Sequence, residues 1–279
     1  MGRKERVWQL EMFGRSLKKQ QKLSALRSLG SENLGQDRLL LTCGDNNGAL
    51  NYYFREHGGR WTWGDVTGEN VDEISALLGE PVHRVPVASF PFRPSSFDGV
   101  VAVDVLEHLD DDQPFLSEVL RVLRPGGRAV VTVPNGDPRL LANRVKWGVG
   151  MTPEVYGHVR PGYTVAELSE SLRRSGMAPV RSSGYSRFFT EMVELAINFT
   201  YVRLLSRGKG KPKSGRIAPV TSAELQSQSA AYRLYTLTFP LLRLLSRLDG
   251  LLARAGDCAV IVVAAKPSRS EFSPVKHAR

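Results

Sequence analysis

Cysteine is scarce in this chain, with two among 279 residues, Cys43 and Cys258. Both sit in apolar, strand-like runs, which points to buried thiols rather than a disulfide and fits a reducing cytoplasm. No Cys/His cluster has metal-ligand spacing, so no metal is expected. Long hydrophobic runs are missing too: no stretch of 18 uncharged apolar residues occurs, and no transmembrane span is predicted. The opening MGRKERVWQL has no apolar signal core and no Ser or Thr at position 6, where a myristoylation motif needs one. Acidic residues run short in one region only. Residues 1–180 hold 22 basic and 22 acidic side chains, whereas residues 181–279 hold 16 and 6 and so carry the whole net charge of +10. Such a segment implies an anionic partner, a membrane surface or nucleic acid, or else a solvated basic loop.

What is present is enough for a core. Hydrophobic residues make up 42% of the chain, and the length suits one large α/β domain with an insertion, or two small domains. The organising stretch is LLLTCGDNNGAL, residues 39–50. Residues 39–43 read as a buried strand that Gly44 ends. Asp45, Asn46, Asn47 and Gly48 form a tight turn, and Ala49 opens a helix. A turn this short brings backbone N–H groups to a helix N-terminus, where they favour a polar or anionic group. A dinucleotide fingerprint needs glycine at 44 and 46. Position 46 is Asn, which leaves a nicotinamide dehydrogenase a weak reading.

Further along, residues 60–65 (RWTWGD) read as a second strand ending in Asp65, 17 residues beyond Gly48. A carboxylate there can accept both ribose hydroxyls of a nucleoside; the alternative is a turn or N-cap Asp. A helix is expected over 71–78 and a strand over 82–87. Another strand is expected over 99–103, a helix over 114–123 stopped by Pro125-Gly126-Gly127, and a strand over 128–133. Upstream, residues 6–29 have helical spacing, with a bend at Phe13-Gly14-Arg15. Strands alternating with helices imply a parallel, doubly wound sheet. Its ligand crevice lies at the carboxyl ends of the strands. Thr164 and Glu167 form a capping box for a helix over 165–174. Strands six and seven are expected over 176–185 and 258–265.

The order LLLTCGDNNGAL, WTWGD, VASFPF, SFDGVVAVDVLEHL, LRVLRPGGRAVVTVPN resembles the class I S-adenosylmethionine-dependent methyltransferases. The nearest branch is the one that includes the ubiquinone and menaquinone biosynthesis enzymes. The match covers residues 36–185 and a last strand near 257–266. It implies a Rossmann-like seven-stranded sheet with the last strand antiparallel, and S-adenosylmethionine as cofactor. By the same resemblance, Gly44, Asp45, Asn46 and Gly48 face the methionine part and Asp65 holds the ribose. Val87, Ala88 and Ser89 line the adenine, and Asp104, Val105 and Leu106 wall the site. The chain departs from the family at Thr42, Asn46 and Pro86. His108 is the first candidate base and His158 the second; a wall residue and an exposed loop residue are their structural alternatives.

The domain reading is a helical segment 1–35, a core 36–186, an insertion 187–256, a last core strand 257–267 and a disordered tail from Ser268. The insertion holds an apolar helix over 192–205, a basic linker (Arg207, Lys209, Lys211, Lys213, Arg216) and a second helix starting at Pro240. On the second, arginines border a broad leucine face, which suits the interface of an anionic membrane; a buried cap or a homodimer contact is the alternative. The expected function is methyl transfer to a small or lipid-linked hydrophobic acceptor, by a cytoplasmic protein peripheral to the membrane. The rival is a catalytically inactive scaffold of the same fold. Nucleic acid is disfavoured, since the basic residues interleave with leucine rather than stacking aromatics.

Overall fold

The computed structural model describes residues 7–30, 34–44, 46–200, 229–251 and 256–268, with 229–235 as backbone only. Asp45, the linker 207–216, Leu252, Arg254 and the tail beyond Ser268 lie outside the described residues. Seven strands form one sheet: β1 Asp37–Thr42, β2 Arg60–Asp65, β3 Val82–Arg84, β4 Phe97–Val103, β5 Leu123–Pro134, β6 Ala178–Tyr185 and β7 Ala259–Ala265. Their order is β3-β2-β1-β4-β5-β7-β6. The first five run parallel to one another, and β7 runs antiparallel to both β5 and β6. The strand order reverses between β1 and β4, so the ligand crevice of an open α/β sheet falls there.

Both faces of the sheet are covered, which is why its strands read as continuous apolar runs. Successive side chains of a strand point to opposite faces. Leu39 and Leu41 pack with Val100, Ala102, Val131 and Val262 under two helices, α5 Gln113–Val122 and α7 Val165–Arg174. Leu40 packs with Val101, Val130 and Ile261 on the other face, under α1 Trp8–Gly14, α2 Leu17–Gly30, α3 Ala49–Arg55 and α4 Val71–Leu78. The three leucines have no solvent exposure, and each contributes about 1.5–3 kcal/mol by burial. Cys43 and Cys258 are free, buried thiols. The remaining helices are α6 Leu141–Gly148, α8 Phe188–Thr200 and α9 Ser229–Ser246. Short 3-10 turns follow at Leu106–His108, Pro153–Tyr156 and Arg247–Gly250.

Four elements depart from their expected bounds by three residues or more, each for an identifiable reason, while β1, β4, β6, β7 and α5 shift by one or two. β3 stops at Arg84 because Pro86 has no N–H to give the ladder. β5 starts five residues early: Leu123 pairs with Phe97, residues 124–127 loop out, and Arg128 resumes opposite Gly99. α8 begins at Phe188 rather than 192, because Asp249 caps it. That carboxylate accepts from the N–H of Phe189 at 2.7 Å, the N–H of Thr190 at 3.0 Å and the Thr190 hydroxyl at 2.6 Å. Pro240, expected to open a helix, lies inside α9 instead.

Candidate active site

Two clefts open at the carboxyl ends of the strands. The first, about 440 Å³, lies at the switch point between β1 and β4, with α1 and α2 over it. Thr42, Asn46, Asp104 and Lys22 are among its walls. The turn after β1 shapes it. Gly44 and Gly48 have φ of 73° and 86°, a region that side chains with a Cβ rarely adopt. A Cβ on Gly48 would lie 3.1 Å from the Cα of Ile74, so α4 could not approach as it does. A Cβ on Gly44 would meet only the imidazole of His108, 3.5 Å from Nε2.

Asn46 makes one wall of this cleft. Its amide nitrogen donates to Thr42 Oγ1 at 3.0 Å and to Asn51 Oδ1 at 2.9 Å, and its oxygen accepts from the N–H of Gly48 at 3.2 Å. Asn47 Oδ1 accepts from the N–H of Ala49 at the start of α3, and Asn70 donates to the carbonyl of Gly44. Asp65 ends β2 with no solvent exposure. Its Oδ1 accepts from the N–H of Gly68 at 2.6 Å and from Thr67 Oγ1 at 2.8 Å. Its Oδ2 sits 3.5 Å from Thr42 Oγ1, beside the cleft. Burial pushes the Asp65 carboxyl up from its ordinary value, against the pull of these donors.

The other expected cofactor residues are dispersed. Asp104 borders the cleft at the end of β4 with a φ of 50°, an unusual value for a residue other than glycine. Its carboxylate pairs with Lys22, which reaches across from α2. Val105 and Leu106 are packed in the core instead. Val87, Ala88 and Ser89 lie on the loop after β3; the last two are exposed, and none borders the cleft.

The second cleft, about 530 Å³, opens beyond β5. Pro134 and Asn135, Trp147 of α6, Tyr156 and His158, and Asn198 of α8 line it. At its edge Glu191 is fully buried between Lys18 at 2.8 Å and Lys146 at 3.1 Å, and accepts from Ser186 Oγ at 2.7 Å. Burial alone would raise the Glu191 pKa, but the two ammonium groups hold it well below the ordinary carboxylate range.

His108 and His158 stand between the clefts. Their rings meet edge to face, 4.9 Å between centroids. His108 Nδ1 lies 3.0 Å from the carbonyl oxygen of Gly157. A carbonyl only accepts, so Nδ1 carries the proton and Nε2 keeps its lone pair in the neutral ring, facing Gly44. The N–H of Val159 donates to the carbonyl of Glu107 at 2.9 Å and ties the two segments together. Between them sits Glu107, fully buried, with no hydrogen-bond partner for either carboxylate oxygen among the described residues. Burial, then the nearby Asp104, pushes its carboxyl well above the ordinary value. Sequence reasoning assigned no role to Glu107, Lys22 or Glu191. Only the Glu107-His108 pair left a signal, as part of the family resemblance.

Residues 40–131 match the family model described as a methyltransferase domain. An O-methyltransferase of Aspergillus sclerotiorum, resE, is 33% identical over 108 residues, 36% of this chain and 40% of that protein. A Mycolicibacterium smegmatis protein named "probable S-adenosylmethionine-dependent methyltransferase" is 40% identical over 91 residues, 32% of each chain. The chain thus spans at most 40% of the length of these curated relatives. Among solved structures, the cyclase SpnF aligns with a TM-score of 0.56 at 18% identity, over 90% of this chain and 81% of that one. Identity that low speaks for the fold alone, and a cyclase on this fold shows that the fold does not fix the reaction. Residues 40–131 thus carry a methyltransferase domain, the part of the chain that is similar to S-adenosylmethionine-dependent relatives, within a sheet of the order given above.

Proposed function

We propose that the protein transfers a methyl group from S-adenosylmethionine to a small or lipid-linked hydrophobic acceptor seated in the second cleft. The first cleft fits the cofactor's methionine end: its glycine turn leaves the Gly44 side open toward His108. Gly44, Asn46, Gly48 and Asp104 would hold that end, and Asp65 beside Thr42 would take the ribose hydroxyls. Val87, Ala88 and Ser89 would have to fold in from the sheet edge to reach the adenine. S-adenosylmethionine, when bound, supplies a methyl group already electrophilic on its sulfonium. The chain's own task is then alignment, exclusion of water and removal of a proton. For a hydroxyl acceptor His108 Nε2 takes that proton, with Nδ1–H held on the Gly157 carbonyl. His158 is the second candidate, from the acceptor side.

The observation that carries the hydrophobic acceptor is α9 and the turn after it. Leu237, Leu241, Leu244 and Leu251 are 79%, 59%, 57% and 81% exposed, with Arg243 and Arg247 exposed among them. A leucine face edged by arginines suits an anionic lipid surface, from which an apolar acceptor could be drawn. No helix of the described residues is long and apolar enough to cross a membrane. The test is incubation with methyl-labelled S-adenosylmethionine and a cell extract, followed by organic partition. Label in the organic phase supports the reading. Label confined to the aqueous phase overturns the hydrophobic acceptor, and no transfer at all favours the second reading.

That second reading is a scaffold without catalysis. The bridging Asn46 and the Lys22–Asp104 pair favour it, since both narrow the first cleft.

A further inference from the structure

The Lys22–Asp104 pair narrows the cleft that the proposed function gives to the cofactor, and the fold holds both partners in place. Asp104 follows β4 with a φ of 50°, a left-handed conformation that Asp tolerates better than most residues. Its N–H donates to the carbonyl of Thr132 at 2.9 Å, which fixes the turn that brings the residue to the cleft. Lys22 comes from α2, and α2 is fastened around it. Lys18, one turn earlier, pairs with Glu191 at 2.8 Å. Gln21 donates to Thr190 Oγ1 at 3.0 Å. Leu23 and Leu26 are buried in the core under the helix. A docked helix thus delivers the Lys22 ammonium to Asp104, and both side chains are less than a third exposed. Salt screens a pair so sheltered less than it screens a surface pair.

We infer that Lys22 is an internal latch on the first cleft: its ammonium occupies Asp104 and must be displaced before a cationic ligand can use that carboxylate. The inference rests on the reading of this cleft as the S-adenosylmethionine site. The methionine end of that cofactor carries an ammonium and a sulfonium, so it competes with Lys22 for one carboxylate. A ligand that must break an internal contact binds with an affinity reduced by the fraction of chains in which the contact is open. A lysine that instead held the cofactor's own carboxylate would act with the opposite sign, and its loss would weaken binding. α2 need not leave the sheet for the latch to open, because its Lys18, Gln21 and leucine contacts do not involve Asp104. The long Lys22 side chain swings aside by changing rotamer. The contact that narrows the cleft is then an entrance that the cofactor opens, rather than a mark of lost catalysis.

The test is calorimetric titration of the full chain and its variants with S-adenosylmethionine and S-adenosylhomocysteine, both of which carry the ammonium. Lys22→Met, which keeps much of the side chain and removes its charge, should tighten both ligands about threefold to tenfold. Lys22→Gln should give the same sign, and serves if the Met variant loses its native far-UV dichroism. Lys19→Met removes a charge from the same helix and the same cleft but leaves the pair intact; it should bring no comparable gain. Unchanged or weaker binding by the folded Lys22 variants overturns the latch and leaves the cofactor site standing. An equal gain in Lys19→Met overturns it too, because the gain is then a general effect of lowered positive charge. No binding by the wild type or by any variant overturns the cofactor reading and the latch together.

Discussion

Glu191 shows what one residue does for the closed end of this molecule. It is buried against two lysines, one from α2 and one from α6, and fastens α8 to both. Replacing it with Gln removes the buried counter-charge of the half-buried Lys18 and Lys146; breaking a fully buried pair typically costs about 3–5 kcal/mol, and the partial exposure of both lysines puts this loss toward or below the lower end. We expect Glu191→Gln to lower unfolding stability in urea by that order, with little change in m-value. The native pKa of Glu191 lies below its unfolded value of 4.5. Its contribution is therefore full above that value and is lost as the pH falls through the lower native pKa. The variant's deficit should shrink progressively in unfolding curves taken below pH 4.5. Asp65 has the opposite sign, since burial raises its pKa. Asp65 thus joins two readings that the sequence left open. It structures the turn through Thr67 and Gly68, and it also stands beside the first cleft.

At the scale of elements, α7 shows local chemistry acting as written. Thr164 accepts from the N–H of Glu167, and Glu167 reaches back to the N–H of Thr164 at 2.8 Å. Thr164→Ala should cost about 1 kcal/mol in chemical denaturation, a loss readable as a lower urea midpoint. A variant as stable as the wild type would contradict the cap. The bounds of α4 and α7 were legible to the residue, because their start and stop signals are short-range. α8 was not, since its cap Asp249 comes from about 60 residues away. Pro240 carried a start signal that holds only in the absence of preceding turns. Here α9 already runs from Ser229 and continues through it, without the hydrogen bond a proline cannot donate.

At the scale of the whole molecule, continuous apolar strand runs alternating with helices made the parallel sheet legible, and the resemblance supplied the antiparallel last strand. The candidate site was legible only in part. The glycine turn, Asp65 and the Glu107-His108 pair are contiguous signals. The Lys22–Asp104 pair spans 82 positions, and the meeting of His108 with His158 spans the two segments that the Glu107 carbonyl joins. Such contacts exist only once the chain has folded. The charge asymmetry of the sequence has a partial counterpart in the arginines and exposed leucines of α9.

On the proposed function, the crevice between β1 and β4 holds S-adenosylmethionine. Isothermal calorimetry of the full chain with that ligand, and with its demethylated product, tests it most directly. One site per chain is expected for both, weakened about tenfold, or about 1.4 kcal/mol, by Asp65→Asn. Titrations that show no heat with either ligand up to millimolar concentration would contradict it.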